Sequence, residues 1–271
     1  MKNLISSSPI GIFDSGIGGL TVAQAVAEIL PQENIIYFGD TAHLPYGDKS
    51  TSAIQAYSIK VCDMLLQQSC KIILIACHSA SSAAYDLVKE YVGSKAKIMN
   101  VIDPTIDHLR EYYPAKKIGL IGTRQTVNSN VYKKKIDNLN LGIQLNSVAT
   151  PLLAPLIEEG FASNTIITSI IADYLNHPDL SQIDALLLAC THYPLIKSHI
   201  ANYYQHRVQL IDSAEITAST LKGLLELHQL LNRDSQPNRK FYISDYTESF
   251  VNSAKLFFPQ ATDIQHYPLW D

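Results

Sequence analysis

Ile72-Ile73-Leu74-Ile75-Ala76-Cys77-His78-Ser79 and Leu186-Leu187-Leu188-Ala189-Cys190-Thr191-His192-Tyr193 share one plan. In each, an apolar run leads through a small residue to a thiol flanked by small polar groups. Such runs read as buried parallel strands, covered by helices on both faces. In open sheets of that kind, ligands bind beyond the carboxyl ends of the strands. The two thiols lie 113 positions apart, one in each half of the chain. They could therefore face one small molecule from opposite sides. That geometry suits an enzyme that removes a proton from one face of a carbon and returns one to the other.

Around these two stretches, short apolar runs alternate with amphipathic ones. Strands are expected over 10–13, 35–38, 72–76, 97–101, 117–121, 143–148, 185–189, 208–211 and 241–244. Helices are expected over 21–30, 52–68, 80–92, 164–175 and 213–231. Alternation of this kind predicts an α/β protein with parallel sheets. A weak internal repeat points to two similar halves. Gly11-Ile12-Phe13-Asp14-Ser15 and Gly119-Leu120-Ile121-Gly122-Thr123 each read as a strand ending in a small hydroxyl residue. Ser15 precedes Cys77 by 62 residues, and Thr123 precedes Cys190 by 67. The expected units are 1–101 with 209–271, and 102–208. The stretch 103–114 is read as the link between them, and the segment after about 208 returns to complete the first unit.

The 271 residues allow one large or two modest cores. With 46% apolar and 17% charged residues, the composition is that of a globular protein. A net charge of −4 without a long charge block leaves no electrostatic footprint for nucleic acid. Lys133-Lys134-Lys135 reads as a solvated helix face. No apolar stretch approaches the roughly 20 residues of a membrane span, and residues 1–9 lack the apolar region of a secretory signal. None of the four cysteines forms a CxxC pair, so neither a disulfide framework nor a metal site is expected. A cytoplasmic, reducing location follows.

Several segments carry candidate chemistry. Asp14-Ser15-Gly16-Ile17-Gly18-Gly19 lies between a strand and a helix, where glycines let backbone N–H groups approach an anion. It lacks the spacing of the dinucleotide fingerprint. Its structural alternative is a tight turn with Asp14 or Ser15 capping a helix. In the loop 39–47, Gly47 permits close approach and Tyr46 offers a hydroxyl or a wall. Cys62 and Cys70 read as core residues. For Cys77 and Cys190, the helix start after each is expected to lower the thiol pKa toward neutrality. His192 is a plausible partner for Cys190, and Asp14 could serve Cys77. Glu158-Glu159-Gly160 offers carboxylates at a helix end closed by glycine.

Together these segments resemble the glutamate racemases of the aspartate/glutamate racemase superfamily. The stretches that carry the resemblance are 10–21 (IGIFDSGIGGLT), 39–47 (GDTAHLPYG), 75–82 (IACHSASS) and 119–132 (GLIGTRQTVNSNVY). They continue through 155–160 (PLIEEG), 187–196 (LLACTHYPLI) and 241–256. The resemblance implies two α/β domains related by a pseudo-twofold axis, with the site in the cleft between them. It implies cofactor-independent interconversion of L- and D-glutamate for peptidoglycan synthesis, with Cys77 and Cys190 as the two bases. Asp14, His192 and Glu158 are implied to assist the cysteines. Substrate contacts are implied at Asp14, Ser15, Tyr46, Gly47, His78, Ser79, Thr191 and His192. The partners implied are an amino-acid substrate and, by family habit, a second copy of the chain. Two departures stand out. His78-Ser79 replaces the family's usual Asn-Thr, and His43 stands where arginine is common. The competing readings are racemisation of aspartate or another amino acid by the same thiols, and an anion-binding protein without turnover.

Overall fold

Strand β1 (Ile10–Asp14) is buried at every position, as a strand covered on both faces must be. It pairs in parallel with β2 (Ile35–Gly39) on one side and β3 (Ile72–Ile75) on the other. Beyond β3 lies β4 (Lys97–Asn100); beyond β2 lie β9 (Arg239–Ile243) and then β10 (Ile264–His266). A second, four-stranded parallel sheet is built around β5 (Lys117–Gly122) and β7 (Ala185–Ala189). Its outer strands are β6 (Gln144–Ala149) and β8 (Gln209–Asp212). The computed structural model describes residues 5–234, 236–261 and 263–270. Residues 1–4, part of the stretch read for a secretory signal, lie outside these, as does residue 271 of the first unit.

The two sheets repeat one order. β2-β1-β3-β4 in the first corresponds to β6-β5-β7-β8 in the second, with β9 and β10 added at one edge of the first. The internal repeat thus has a topological counterpart: β1 neighbours the strand that leads to Cys77, and β5 neighbours the strand that leads to Cys190.

Helices cover the sheets. In the first unit these are α1 (Leu20–Ile29), α2 (Thr51–Gln67) and α3 (His78–Val92). The chain crosses to the second sheet through α4 (Ile102–Tyr112), so the stretch read as a link is an amphipathic helix. There follow α5 (Arg124–Asn128), α6 (Val131–Leu139), α7 (Leu153–Glu158), α8 (Thr165–Leu175) and α9 (Lys197–Tyr203). The chain returns through α10 (Ser213–Leu227), which packs on α1 and α4, and ends its helices with α11 (Glu248–Phe257). Lys133 and Lys134 are exposed on α6, as a solvated face requires.

One expected boundary shifts. Residues 209–212, read as the start of the return to the first unit, pair with β7 in the second sheet. The return begins at Ser213, where the Asp212 side chain accepts the Ala214 N–H and caps α10. Strand β10 was not expected: it is three residues long, and only its first is buried. No helix among the described residues is long and apolar enough to cross a membrane.

Just before β3, Lys71 is fully buried against Glu33, with Nζ 2.5 Å from Oε2. Nζ also donates to the carbonyls of Ser6 and Leu230, and Glu33 Oε1 accepts the Asn232 N–H. This pair ties the segment between α10 and β9 to the first sheet. Removing one partner of a buried ion pair strands the other charge. Lys71→Met should therefore lose about 3–5 kcal/mol of stability in urea unfolding, and Lys71→Met/Glu33→Gln should recover part of it.

Candidate active site

The carboxyl ends of the two sheets face one cavity of about 260 Å³. Cys77 lies two residues past the end of β3 and serves as the N-cap of α3, its Sγ accepting the Ala80 N–H at 3.4 Å. Ser15 Oγ lies 3.7 Å from that sulfur. From the other sheet, Cys190 follows β7 directly, and its Sγ is 3.6 Å from His192 Nδ1. Both thiols line the cavity, joined by Ser15, Tyr46, Gly47, His78, Ser79, Glu158, Thr191 and His192. Of the expected site residues only Asp14 is missing from the wall. It lies fully buried behind it.

His192 is held at both ring nitrogens. Nε2 lies 2.8 Å from Glu158 Oε1, while Nδ1 faces the Cys190 sulfur. Burial opposes charge on the ring, but these hydrogen bonds and the partners' negative charge outweigh it. The imidazole is held well above its ordinary pKa. Glu158 stands at the last turn of α7, and Gly160 follows in the left-handed region at φ +82°, as the helix-end reading requires. It is Glu158, rather than Glu159, that bonds His192, although both line the cavity.

Cys77 departs from expectation. The start of α3 was expected to bring its thiol toward neutrality; instead burial, reinforced by the nearby Asp14 charge, pushes it up to about 12. The hydrogen bonds from Ala80 and Ser15 act in the lowering direction but are outweighed. Asp14 makes no hydrogen bond to Cys77. Its carboxylate accepts the Gly16 N–H at 3.0 Å and the Thr191 hydroxyl at 3.3 Å, and burial raises its own pKa.

The glycine run serves the interface between the two halves. A Cβ on Gly18 would sit 2.3 Å from His192 Cε1 and 2.6 Å from Thr191 Oγ1. Thr21, next on α1, donates its hydroxyl to the Thr191 carbonyl at 2.9 Å. Neither Asp14 nor Ser15 caps α1; its N-cap is Gly19. The loop after β2 closes the cavity from another side. The Tyr46 hydroxyl donates to Asp40 at 2.6 Å, so Tyr46 serves as a wall. A Cβ on Gly47 would come within 2.9 Å of Thr123 Cβ, which explains glycine there.

His78 is buried, its Nε2 3.2 Å from Ser213 Oγ at the start of α10. Burial lowers its pKa to about 3, so the ring beside Cys77 carries no charge at neutral pH. Thr123 is a site residue that inspection of the motifs left out. It lines the cavity, caps α5 and lies 2.8 Å from Ser79 Oγ across the cleft. The repeat had matched it to Ser15, and that was the available signal. Cys62 and Cys70 are core residues, as expected, with Cys70 pushed up to about 12 by burial.

Residues 20–221 match the model of the Asp/Glu/hydantoin racemase family. The chain belongs to this family. It is 40% identical over 258 residues to a glutamate racemase of Neisseria meningitidis serogroup C, with 95% of each chain covered. A glutamate racemase of Chlorobium phaeobacteroides is likewise 40% identical, over 92% of each chain. The crystal structure of the Francisella tularensis glutamate racemase in complex with D-glutamate superposes with a TM-score of 0.91 at 36% identity, covering 98% of this chain and 99% of that one. These racemases are isomerases, and the two parallel-sheet α/β domains are common to them and to this chain.

The rate at which a thiol is alkylated follows its thiolate fraction. Cys77 in the unliganded protein should therefore react with iodoacetamide at pH 7.5 at least about a hundredfold more slowly than an exposed cysteine. Asp14→Asn removes the neighbouring charge and should accelerate it. Peptide mass mapping of the alkylated cysteines measures both rates.

Proposed function

We propose that this protein interconverts L- and D-glutamate without a cofactor, with Cys77 and Cys190 as the acid and base on opposite faces of the α-carbon. The observation that carries this reading is that two strand-end thiols, one from each sheet, line the same small cavity. A binding protein without turnover would need neither thiol. Identity of about 40% to glutamate racemases over nearly the whole chain favours glutamate over aspartate or another amino acid.

In one direction Cys77 takes the α-proton and Cys190 delivers one to the far face; in the other the roles exchange. The two thiols are prepared differently. Cys190 has His192 beside it, whose raised pKa keeps a positive charge facing the sulfur, with Glu158 holding the ring in place. Cys77 has no such partner. The substrate's own ammonium, held beside it, is the charge that would bring its pKa down from about 12. Turnover at that thiol thus depends on substrate binding.

Among the described residues the cavity lining holds no lysine or arginine. We assign the substrate's carboxylates to the hydroxyls of Ser15, Ser79, Thr123 and Thr191 and to the N–H groups at the start of α3, a helix end that favours negative charge. Asp14 holds Thr191, while Tyr46, Gly47 and His78 shape the walls. A reducing, cytoplasmic setting suits four free thiols and a role in supplying D-glutamate for peptidoglycan.

Proton exchange at the α-carbon tests this directly. Incubated in D₂O, L-glutamate should gain deuterium and racemise; retention of its α-proton with the native enzyme would remove the reading. Cys77→Ala and Cys190→Ala should each lower racemisation by at least about a thousandfold, given what one positioned acid or base contributes. His78→Asn should stay active on glutamate, since the ring it replaces is neutral and bonded away from the thiol toward Ser213. A change of preferred amino acid in that variant would instead assign specificity to residue 78.

A further inference from the structure

The loop that forms the Tyr46–Gly47 wall hangs from one buried carboxylate. Asp40, fully buried, accepts the Tyr46 hydroxyl at 2.6 Å, the Trp270 indole N–H at 2.7 Å and the Ser244 hydroxyl at 2.8 Å. His43 Nδ1 lies 3.1 Å from each of its oxygens. A carboxylate offers about four acceptor positions, so these donors saturate it and fix its orientation.

Trp270 comes from far along the chain. Past β10 the backbone continues over the carboxyl edge of the first sheet: the Tyr267 N–H bonds the Ile243 carbonyl, and the Tyr267 ring meets Phe38 and Tyr242 edge-on. Trp270 then lies edge-on to His43 at 4.4 Å and to Tyr57 at 5.5 Å. His43 is stacked on Tyr57 at 4.0 Å, and Tyr57 adjoins Tyr46 at 5.7 Å. Through a hydrogen bond and a run of ring contacts, Trp270 thus bears on the residue that forms the cavity wall.

We propose that Trp270 is a positioning residue for the substrate loop, acting through Asp40 on Tyr46 and Gly47. The segment 267–270 straps the loop from outside, and the strap sets how closely Gly47 approaches Thr123 across the cleft. Loss of the indole N–H leaves one acceptor position of Asp40 empty and lets the carboxylate rotate, taking the Tyr46 hydroxyl with it. Substrate binding weakens as a result, while the two thiols and His192 stay in place.

Trp270→Phe keeps a ring in the aromatic group and deletes only the N–H, so it tests the proposal without emptying the site. Two measurements are needed, because the second rests on the glutamate reading. In the unliganded protein, amide hydrogen exchange should quicken over residues 40–49 and remain unchanged over β1 and β7. Equal exchange over 40–49 overturns the proposal whatever the substrate is. With glutamate, KM should rise about tenfold while kcat changes less than about threefold, the signature of lost ground-state binding. An unchanged KM, or a fall in kcat that matches a lost folded fraction, makes Trp270 merely structural and overturns the proposal. If the native enzyme does not turn glutamate over, the functional reading fails and the exchange measurement alone decides the role of Trp270. Asp40→Asn, which keeps the shape but replaces one accepting oxygen with a donating amide nitrogen, should reproduce both effects. Trp270 is the single tryptophan of the chain, so its emission in native protein and in Asp40→Asn reports directly on the indole's surroundings. Identical emission spectra would also overturn the proposal.

Discussion

Thr191 is where the two halves of the molecule are joined at the site. Its carbonyl accepts the Thr21 hydroxyl and its own hydroxyl donates to Asp14, so one residue of the second unit is bonded to both ends of the β1–α1 turn. The contact is possible because Gly18 has no side chain, and any Cβ there would strike His192. The neighbours of Thr191 are Cys190 and His192. A single close approach of two backbones therefore determines where the second thiol and its imidazole stand relative to the first sheet. The cavity, the burial of Asp14 and the separation of the thiols all depend on it.

That approach also makes the two sides of the cavity electrostatically unequal. The Cys190 side carries a histidine raised by its acidic neighbours. The Cys77 side carries a buried thiol, a buried carboxylate nearby and a neutral His78. A repeated fold has thus produced two thiols in equivalent topological places with opposite surroundings. In the proposed mechanism, the side without a protein cation is the one assigned to the ammonium of the substrate. Desolvation makes this division effective, because charges count for more where water is absent.

Much of the architecture was legible in the chain. The apolar runs at 10–13, 72–76 and 185–189, read as buried strands, do form inner parallel strands. The repeat of a strand-end hydroxyl before each strand-end cysteine anticipated the matching order of the two sheets. Edge elements were less legible. β10 is too short and too exposed to leave a pattern, and β8 lies at the point where the chain changes sheets. Its alternation suits either sheet, and only hydrogen bonding to β7 assigns it.

Residue identity and spacing were enough to single out Cys77, Cys190 and His192 as candidates, because each thiol ends an apolar strand beside small polar groups; Glu158 was implied only by the resemblance. The direction of the Cys77 pKa was beyond the sequence: a helix start favours the thiolate, but how much burial and how near a carboxylate oppose it depends on residues 63 positions away. The same holds for Thr123, for the pairing of His192 with Glu158 rather than Glu159, and for Trp270 above Asp40. Local pattern determined which elements form and which side chains could react. Only the tertiary structure decided which of them meet, because pairing across a cleft depends on the docking of two sheets whose contacts are distant in the chain.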